Sequence, residues 1–353
     1  MIRIKARAPT ARGVVLATLW GAAAVAYKFG CPPQDGLGIR IVTSAVFFAV
    51  GTGLVVHVRR ALLRELWQAR RVAGAAQSVV LRPLPARLDG LNVAAAQLSA
   101  DRGASIGGDL YEAVVTEHGV RVVMGDVRGH GIGALGTVAA VLGSFREAAH
   151  DEPELGSVLR RLDRALARHL RERARAEHPS NGTQDPDNPV AEEFVTVLLL
   201  EISGEGELRA LNCGHPWPYL LSGTRVEPFT GADPLPPLGP FPLPSELEAQ
   251  PCGHLLPGDS LVLFTDGAED ARDAHGRFFS LPTALRAAVR DHPVTPQTVL
   301  RAIFAAVLHH TAGRPKDDIA VLVLRNDRRR AELSGARGAA RQAPTDPQST
   351  THR

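Results

Sequence analysis

From residue 91 to residue 326 the chain falls into short apolar runs: LNVAAAQL, LYEAVVTE, VRVVMGDV, EFVTVLLLEI, ELRALNCG, PYLLSG, SLVLFTDG and DIAVLVLR. Runs of this length, rich in Val, Leu and Ile and bounded by Gly, Pro and Asp, are strands. Segments of helical length lie between them at 133–149, 153–176, 281–291 and 295–311. The strand runs are consecutive, with the helices grouped, and do not alternate strictly with helices. That order predicts an α+β fold of stacked sheets covered by helices and argues against a parallel doubly wound sheet. A hydrophobic content of 44% with 22% charged residues supports a packed core and excludes a chain that is disordered overall.

The first 60 residues have a different character. A basic start (Arg3, Lys5, Arg7, Arg12) precedes the apolar run 13–29, a Pro/Gly loop from Cys31 to Gly38, and a second apolar run 41–58 followed by Arg59, Arg60 and Arg64. Each run is near the lower length limit for a bilayer-spanning helix. Basic residues flank the pair outside, and Arg40 is the one charged base in the loop, so the positive-inside tendency puts both flanks in the cytoplasm. The expectation is a transmembrane helical hairpin. A buried helical hairpin would show a polar face, and a signal peptide ending near Ala24 or Ala26 conflicts with the arginines after residue 58. Residues 60–80 read as a connecting helix ended by Pro83 and Pro85, with a seam (Leu62, Leu63, Leu66, Val72, Val79) that could pair with a second copy but is too short for a coiled coil. Cys31, Cys213 and Cys252 lack metal-ligand spacing and suit a reducing compartment. The net charge of +3 comes from scattered basic residues with no aromatic stacking platform, which argues against nucleic acid as a partner.

Four separated segments place aspartate at a turn beside an apolar strand: Ile106-Gly107-Gly108-Asp109, Gly125-Asp126-Val127-Arg128-Gly129-His130-Gly131, Phe264-Thr265-Asp266-Gly267 and Lys316-Asp317-Asp318-Ile319. A carboxylate next to a core is costly unless paired or bound to a cation. Several that converge cannot all remain ionised without one. Oxygen donors without a His/Cys set favour magnesium or manganese over zinc. Asp-Gly alone is an ordinary turn dipeptide; the ordered set of four is the signal.

The order IGGDLYE, GDVRGHG, EFVTVLLLEI, LNCGHPWPYLL, LFTDGAEDARD, KDDIAVLVL resembles the metal-dependent protein phosphatases, and within them the bacterial SpoIIE-type serine phosphatases. The resemblance covers about residues 75–326. It implies an αββα sandwich of two antiparallel sheets flanked by helices. Together with the apolar runs and the polar tail, it divides the chain into a membrane anchor (1–58), a helical connector (59–85), a phosphatase domain (86–326) and a disordered tail (327–353). It also implies Mg²⁺ or Mn²⁺ ions, two or more, held by Asp109, Asp126, the carbonyl of Val127, Asp266 and Asp317. Asp126 would bridge the ions and act with Asp109 in catalysis, and Asp318, His130 and Arg128 would stand just behind. Whether Asp317 or Asp318 binds directly is left open by their adjacency. The implied reaction is hydrolysis of a phosphoserine or phosphothreonine monoester by a metal-activated water. The implied substrate is a phosphorylated bacterial regulator such as an anti-sigma-factor antagonist; the apolar runs and their basic flanks add the expectation of a multi-pass cell-membrane protein with its catalytic domain in the cytoplasm and a homodimer contact through the connector. The alternative is a catalytically silent module of the same fold that sequesters a signalling partner. The chain departs from the family pattern at Arg128, a position often small, and at Ala320, often Thr.

Other signals read as structural. Gly131-Ile132-Gly133-Ala134-Leu135-Gly136 matches a dinucleotide-binding pattern, but Asp126 at the strand end would repel a pyrophosphate and no second strand–helix–strand unit follows. His215, between Gly214 and Pro216, reads as a turn histidine, and Cys213 as a small core residue.

Overall fold

The computed structural model describes residues 37–98, 107–129, 131–177, 193–229, 231, 233–290 and 295–328. The apolar run 13–29, His130, the polar loop from residue 178 and the tail after 328 lie outside the described residues. The chain divides into two units, residues 1–72 and 73–353.

In the first unit the described backbone is helix α1 (Leu37–Val80), which continues into the second. Its stretch Ala45–Arg64 is long and apolar enough to cross a membrane by length and composition, and none of that stretch is buried within the protein. Val46, Phe48, Val55 and Val56 are all exposed. The first arm of the expected hairpin lies outside the described residues, so one apolar helix is present and a hairpin is not shown.

The second unit is built on two antiparallel sheets. Its elements, in chain order, are β1 (Arg87–Leu88), β2 (Leu91–Leu98), β3 (Asp109–Thr116), β4 (Gly119–Val127), α2 (Ile132–Asp151), α3 (Leu155–Glu177), β5 (Val195–Ile202), β6 (Glu207–Cys213), β7 (Tyr219–Ser222), β8 (Arg225–Pro228), β9 (Gln250–His254), β10 (Ser260–Phe264), α4 (Gly267–Asp270), α5 (Leu281–Arg290), α6 (Pro296–His310) and β11 (Ile319–Asn326). One sheet runs β1-β2-β11-β10-β7-β8 and the other β3-β4-β5-β6-β9. The period-2 alternation of strand side chains builds three apolar layers. Val93, Tyr111, Val122, Met124, Leu198, Leu263 and Leu322 meet between the sheets. Val123, Val197 and Leu199 face outward and are covered by Val138, Phe145, Leu159 and Leu162 of α2 and α3. Val262, Val321 and Val323 face the opposite way, onto Leu285, Ile303 and Val307 of α5 and α6. This is a helix–sheet–sheet–helix sandwich. All β4 neighbours are antiparallel, so the glycine run after β4 does not sit in a nucleotide-binding strand–helix–strand unit.

Two arginines tie the layers together. Arg121 on β4 is fully buried, pairs with Glu201 at 2.7 Å and donates to the carbonyls of Ala149, Glu152 and Pro153, which supplies acceptors for a buried charge and donors for the end of α2. Arg146 on α2 pairs with Glu112 on β3 at 2.6 Å and donates to the Val80 carbonyl at 2.8 Å, fastening the last turn of α1 to the sandwich. Short strands β1, β8 and β9 and the single-turn α4 were not expected from the sequence. β8 and β9 are sheet edges carrying Pro228, Pro251 and Gly253, where propensity gives little signal.

Candidate active site

The carboxylates gather at one end of the sandwich because of strand parity. On β3, Tyr111 and Ala113 point between the sheets, so Asp109, two positions earlier, does too. On β4 the inward residues Val122 and Met124 are followed by Asp126; on β5, Leu198 and Leu200 are preceded by Thr196. On β10, Leu261 and Leu263 lead to Thr265, and on β11, Ala320 and Leu322 are preceded by Asp318. Gln97 takes the same place on β2, after Val93 and Ala95. The inter-sheet core thus ends in a polar layer one register step beyond its last apolar residues.

Within that layer Asp109 and Asp126 are register partners. Asp109 is 3% exposed and receives a bond from Gln97 Nε2 at 3.3 Å, and the Thr265 hydroxyl, which accepts the Ala320 N–H at 2.9 Å, faces it from the other sheet. Burial pushes the Asp109 carboxyl well above the usual range; the charges of Asp126, Asp318 and Asp317 add to the rise, and Thr265 opposes it. Burial likewise raises Asp126 to about 7, with Asp266, Asp317 and Asp318 contributing. Asp266 is raised by burial, then by Asp317 and Asp270. Asp317 thus acts on all three of Asp109, Asp126 and Asp266, so these carboxylates share one electrostatic environment. The parity that buries Asp318 leaves Asp317 on the exposed turn, where its carboxylate accepts from the Asp318 N–H at 2.8 Å.

The backbone closes in around these groups. A Cβ on Gly108 would strike the Val127 carbonyl and lie 2.8 Å from Asp126 Oδ1, one on Gly107 would strike the Asp318 carboxylate, and one on Gly267 the Asp318 carbonyl. Val127 N–H donates to the Gly108 carbonyl at 3.1 Å, which holds the two turns together. Gly129 and Gly131 have φ of 115° and 90°, the left-handed region that favours glycine, and lead the chain from Val127 into α2. Arg128 is exposed at the rim, 5.3 Å over the Phe194 ring, with its N–H on the Phe194 carbonyl at 2.9 Å. His130 lies outside the described residues.

The donor chemistry fits a hard divalent cation: four mutually repelling carboxylates, a carbonyl at Val127, and glycines where a side chain would obstruct. As the side chains stand, no group of three or more His, Cys, Asp or Glu among the described residues is close enough to hold one ion. Sequence reasoning passed over Thr196, Thr265 and Gln97, whose signal was their parity with the aspartates, and read His215 only as a turn residue. His215 is 4% exposed, its Nδ1 lies 3.0 Å from Thr196 Oγ1, and burial pushes its pKa down to about 3. Cys213 is a core residue whose thiol burial raises to about 12.

The family model for Stage II sporulation protein E (SpoIIE) matches residues 116–327, a stretch that contains Asp126, Asp266, Asp317 and Asp318 and begins just after Asp109. The chain belongs to this family, and its second unit is built of two antiparallel sheets with helices on their outer faces. Among solved structures it is similar to the RsbU and RsbW domains of a Mycobacterium tuberculosis protein, at 21% identity and TM-score 0.50 over 68% of this chain and 61% of that one. It is also similar to the SiaA-PP2C domain of Pseudomonas aeruginosa, at 19% identity and TM-score 0.51 over 76% of this chain and 98% of that one. The chain thus spans under two thirds of the length of the first of these. At such identities the likeness is one of fold.

Proposed function

We propose that the chain is a metal-dependent protein serine/threonine phosphatase that hydrolyses a phosphoserine or phosphothreonine monoester on a bacterial regulatory protein, such as an anti-sigma-factor antagonist. One observation carries the reading: the inward-facing register positions of β3, β4 and β11 end in carboxylates that raise one another's pKa at a single end of the sandwich. Mg²⁺ or Mn²⁺, two or more, would be held by Asp109, Asp126, the Val127 carbonyl, Asp266 and Asp317, and would supply a lowered water pKa and neutralisation of phosphoryl oxygens. Asp126, the register partner of Asp109, would be the ligand the ions have in common. Asp109 is oriented by Gln97, and buried Asp318 sets the charge behind it. The glycine turns keep side chains out of the space a phosphoryl group needs. Arg128, stacked on Phe194, packs the rim beside Val127.

The domain assignment that accompanies this function is an anchor over 1–58, a connector over 59–85, the phosphatase domain over 86–326 and a tail over 327–353. The anchor is a two-helix membrane hairpin whose second arm is the apolar part of α1, with the phosphatase domain in the cytoplasm. The connector provides a homodimer contact. The competing reading is a silent module that sequesters a partner, and the absence of a close group of three ligands among the described residues is the observation on its side.

A panel of phosphoserine peptides, nucleoside monophosphates and an aryl phosphate, assayed with Mn²⁺ or with chelator, tests the substrate class. Mn²⁺-dependent release is expected from the peptides and the aryl phosphate. Release confined to nucleotides would replace the protein substrate with a small molecule.

A further inference from the structure

His215 follows β6 and stands at the same end of the sandwich as the carboxylates, buried between the two sheets. Its backbone is locked by Asn212, whose Oδ1 accepts from the His215 N–H and whose Nδ2 donates to the His215 carbonyl, both at 2.8 Å. The backbone from which the ring projects is therefore fixed. Nδ1 lies 3.0 Å from Thr196 Oγ1. Thr196 is the register partner of Asp126, and its hydroxyl accepts the Asp126 N–H at 3.2 Å. That hydroxyl has one proton to give. The Asp126 carbonyl, at 3.4 Å, is the poorer acceptor and the imidazole nitrogen at 3.0 Å the better one. Nδ1 then accepts and the ring proton sits on Nε2. Nε2 is buried without a hydrogen bond of ordinary geometry, and the ring lies against the backbone of Phe264, the last residue of β10, two positions before Asp266.

We propose that His215 is a positioning residue, a neutral brace spanning the two sheets: one ring edge fixes the Asp126 backbone through Thr196, and the other abuts the Phe264 carbonyl. The brace sets the separation between the end of β4, which carries Asp126, and the end of β10, which leads to Asp266. It acts on the carboxylates without touching a substrate. It deepens the phosphatase reading, because the separation of Asp126 and Asp266 governs whether they can share an ion, yet it is a statement about the protein backbone that stands apart from that reading.

Amide hydrogen exchange on the full chain in chelator tests it. His215→Phe keeps the volume and removes both polar edges; exchange should speed up about tenfold or more at the Asp126 amide and across 264–266, with the strand centres unchanged. His215→Asn keeps an acceptor in the Nδ1 position and should restore protection at Asp126 but not at 264–266. Thr196→Val should reproduce only the Asp126 effect, and Thr196→Ser should not. Exchange that rises only around 212–217, or evenly through the domain, would overturn the brace, as would equal effects of His215→Phe and His215→Asn at both places. Mn²⁺ titration calorimetry on the same proteins adds a separate arm: His215→Phe and Thr196→Val should each weaken binding about tenfold, as changes behind metal ligands do. If the parent binds no Mn²⁺ while the exchange pattern holds, the metal reading falls and the brace remains.

Discussion

At the scale of single residues, the site follows from one rule, the alternation of side chains along a strand. Asp109, Asp126 and Asp318 occupy inward positions continuous with apolar residues, so Asp109 and Asp318 are buried and Asp126 is half-buried by the core they extend. Their burial has a measurable consequence in the metal-free protein. Burial, with the neighbouring carboxylates, pushes the Asp126 carboxyl up from its ordinary 3.8 to about 7. Above pH 7 it is ionised in both states and the folded state carries the full cost; below about 4 it is protonated in both and the cost vanishes. Stability is thus predicted to rise as pH falls from about 7 to about 4 on account of this group. His215 works in the other direction: its folded pKa of about 3 lies below 6.5, so its contribution is present above pH 6.5 and is lost as pH falls toward 3. The two are separated by comparing Asp126→Asn with the parent in chelator. The variant should be more stable at pH 8 by on the order of 2–4 kcal/mol, and the difference should shrink to nothing by pH 4. A difference independent of pH would contradict the ionised, buried carboxylate. Asp109, Asp126 and Asp266 stood out in the sequence because each is beside a glycine at one end of an apolar run, and Asp317 and Asp318 because they lead into one. Thr196, Thr265 and Gln97 were not, because a lone Thr or Gln at an inward position is indistinguishable from an ordinary strand residue until the sheets are stacked. His215 was visible but underread, since the burial that makes it a brace arises from contacts with Thr196 and Phe264, which come from other strands.

At the scale of elements, the long central strands and the four main sandwich helices were legible within a residue or two, since each has the apolar periodicity of a surface that must be covered. The edge strands β8 and β9 were not, because their stability comes from neighbours and not from their own residues: Arg225–Pro228 pairs with Tyr219–Ser222, and β9 pairs with β6 across an irregular register at Leu208 and Arg209. The choice between Asp317 and Asp318, open at the level of sequence, acquires a physical distinction once β11 is in place, as the strand begins at Ile319 and carries Asp318 inward. Helix α1 differs from every sandwich helix in having an exposed apolar stretch rather than one covered face. If that stretch enters a bilayer, the full chain should float with lipid vesicles in a density gradient, and Phe48→Asp with Val55→Asp should reduce the floating fraction several-fold, since an acid in a helix centre costs about 2.5–3.5 kcal/mol on insertion scales. Equal flotation of parent and variant would remove this segment as the anchor.

At the scale of the molecule, the sequence shows a change of architecture that the structure repeats: an apolar helical segment first, then a sandwich whose polar end collects the acidic turns. The sandwich is held as a unit by its inter-sheet core and by Arg121 and Arg146, which carry charge across layers and leave the acidic end free of basic partners from those two residues. A fold of this kind supports either catalysis or sequestration, and the two readings part on whether the carboxylate cluster does chemistry. The most direct measurement is phosphate release from a phosphoserine peptide by the full chain, with Mn²⁺ or with chelator, for the parent and for Asp126→Asn. The account predicts Mn²⁺-dependent release that falls at least a hundredfold in the variant, as loss of a group acting directly on the metal-assisted step should cause. Equal release by parent and variant, or none from a folded parent with Mg²⁺ or Mn²⁺, would contradict it.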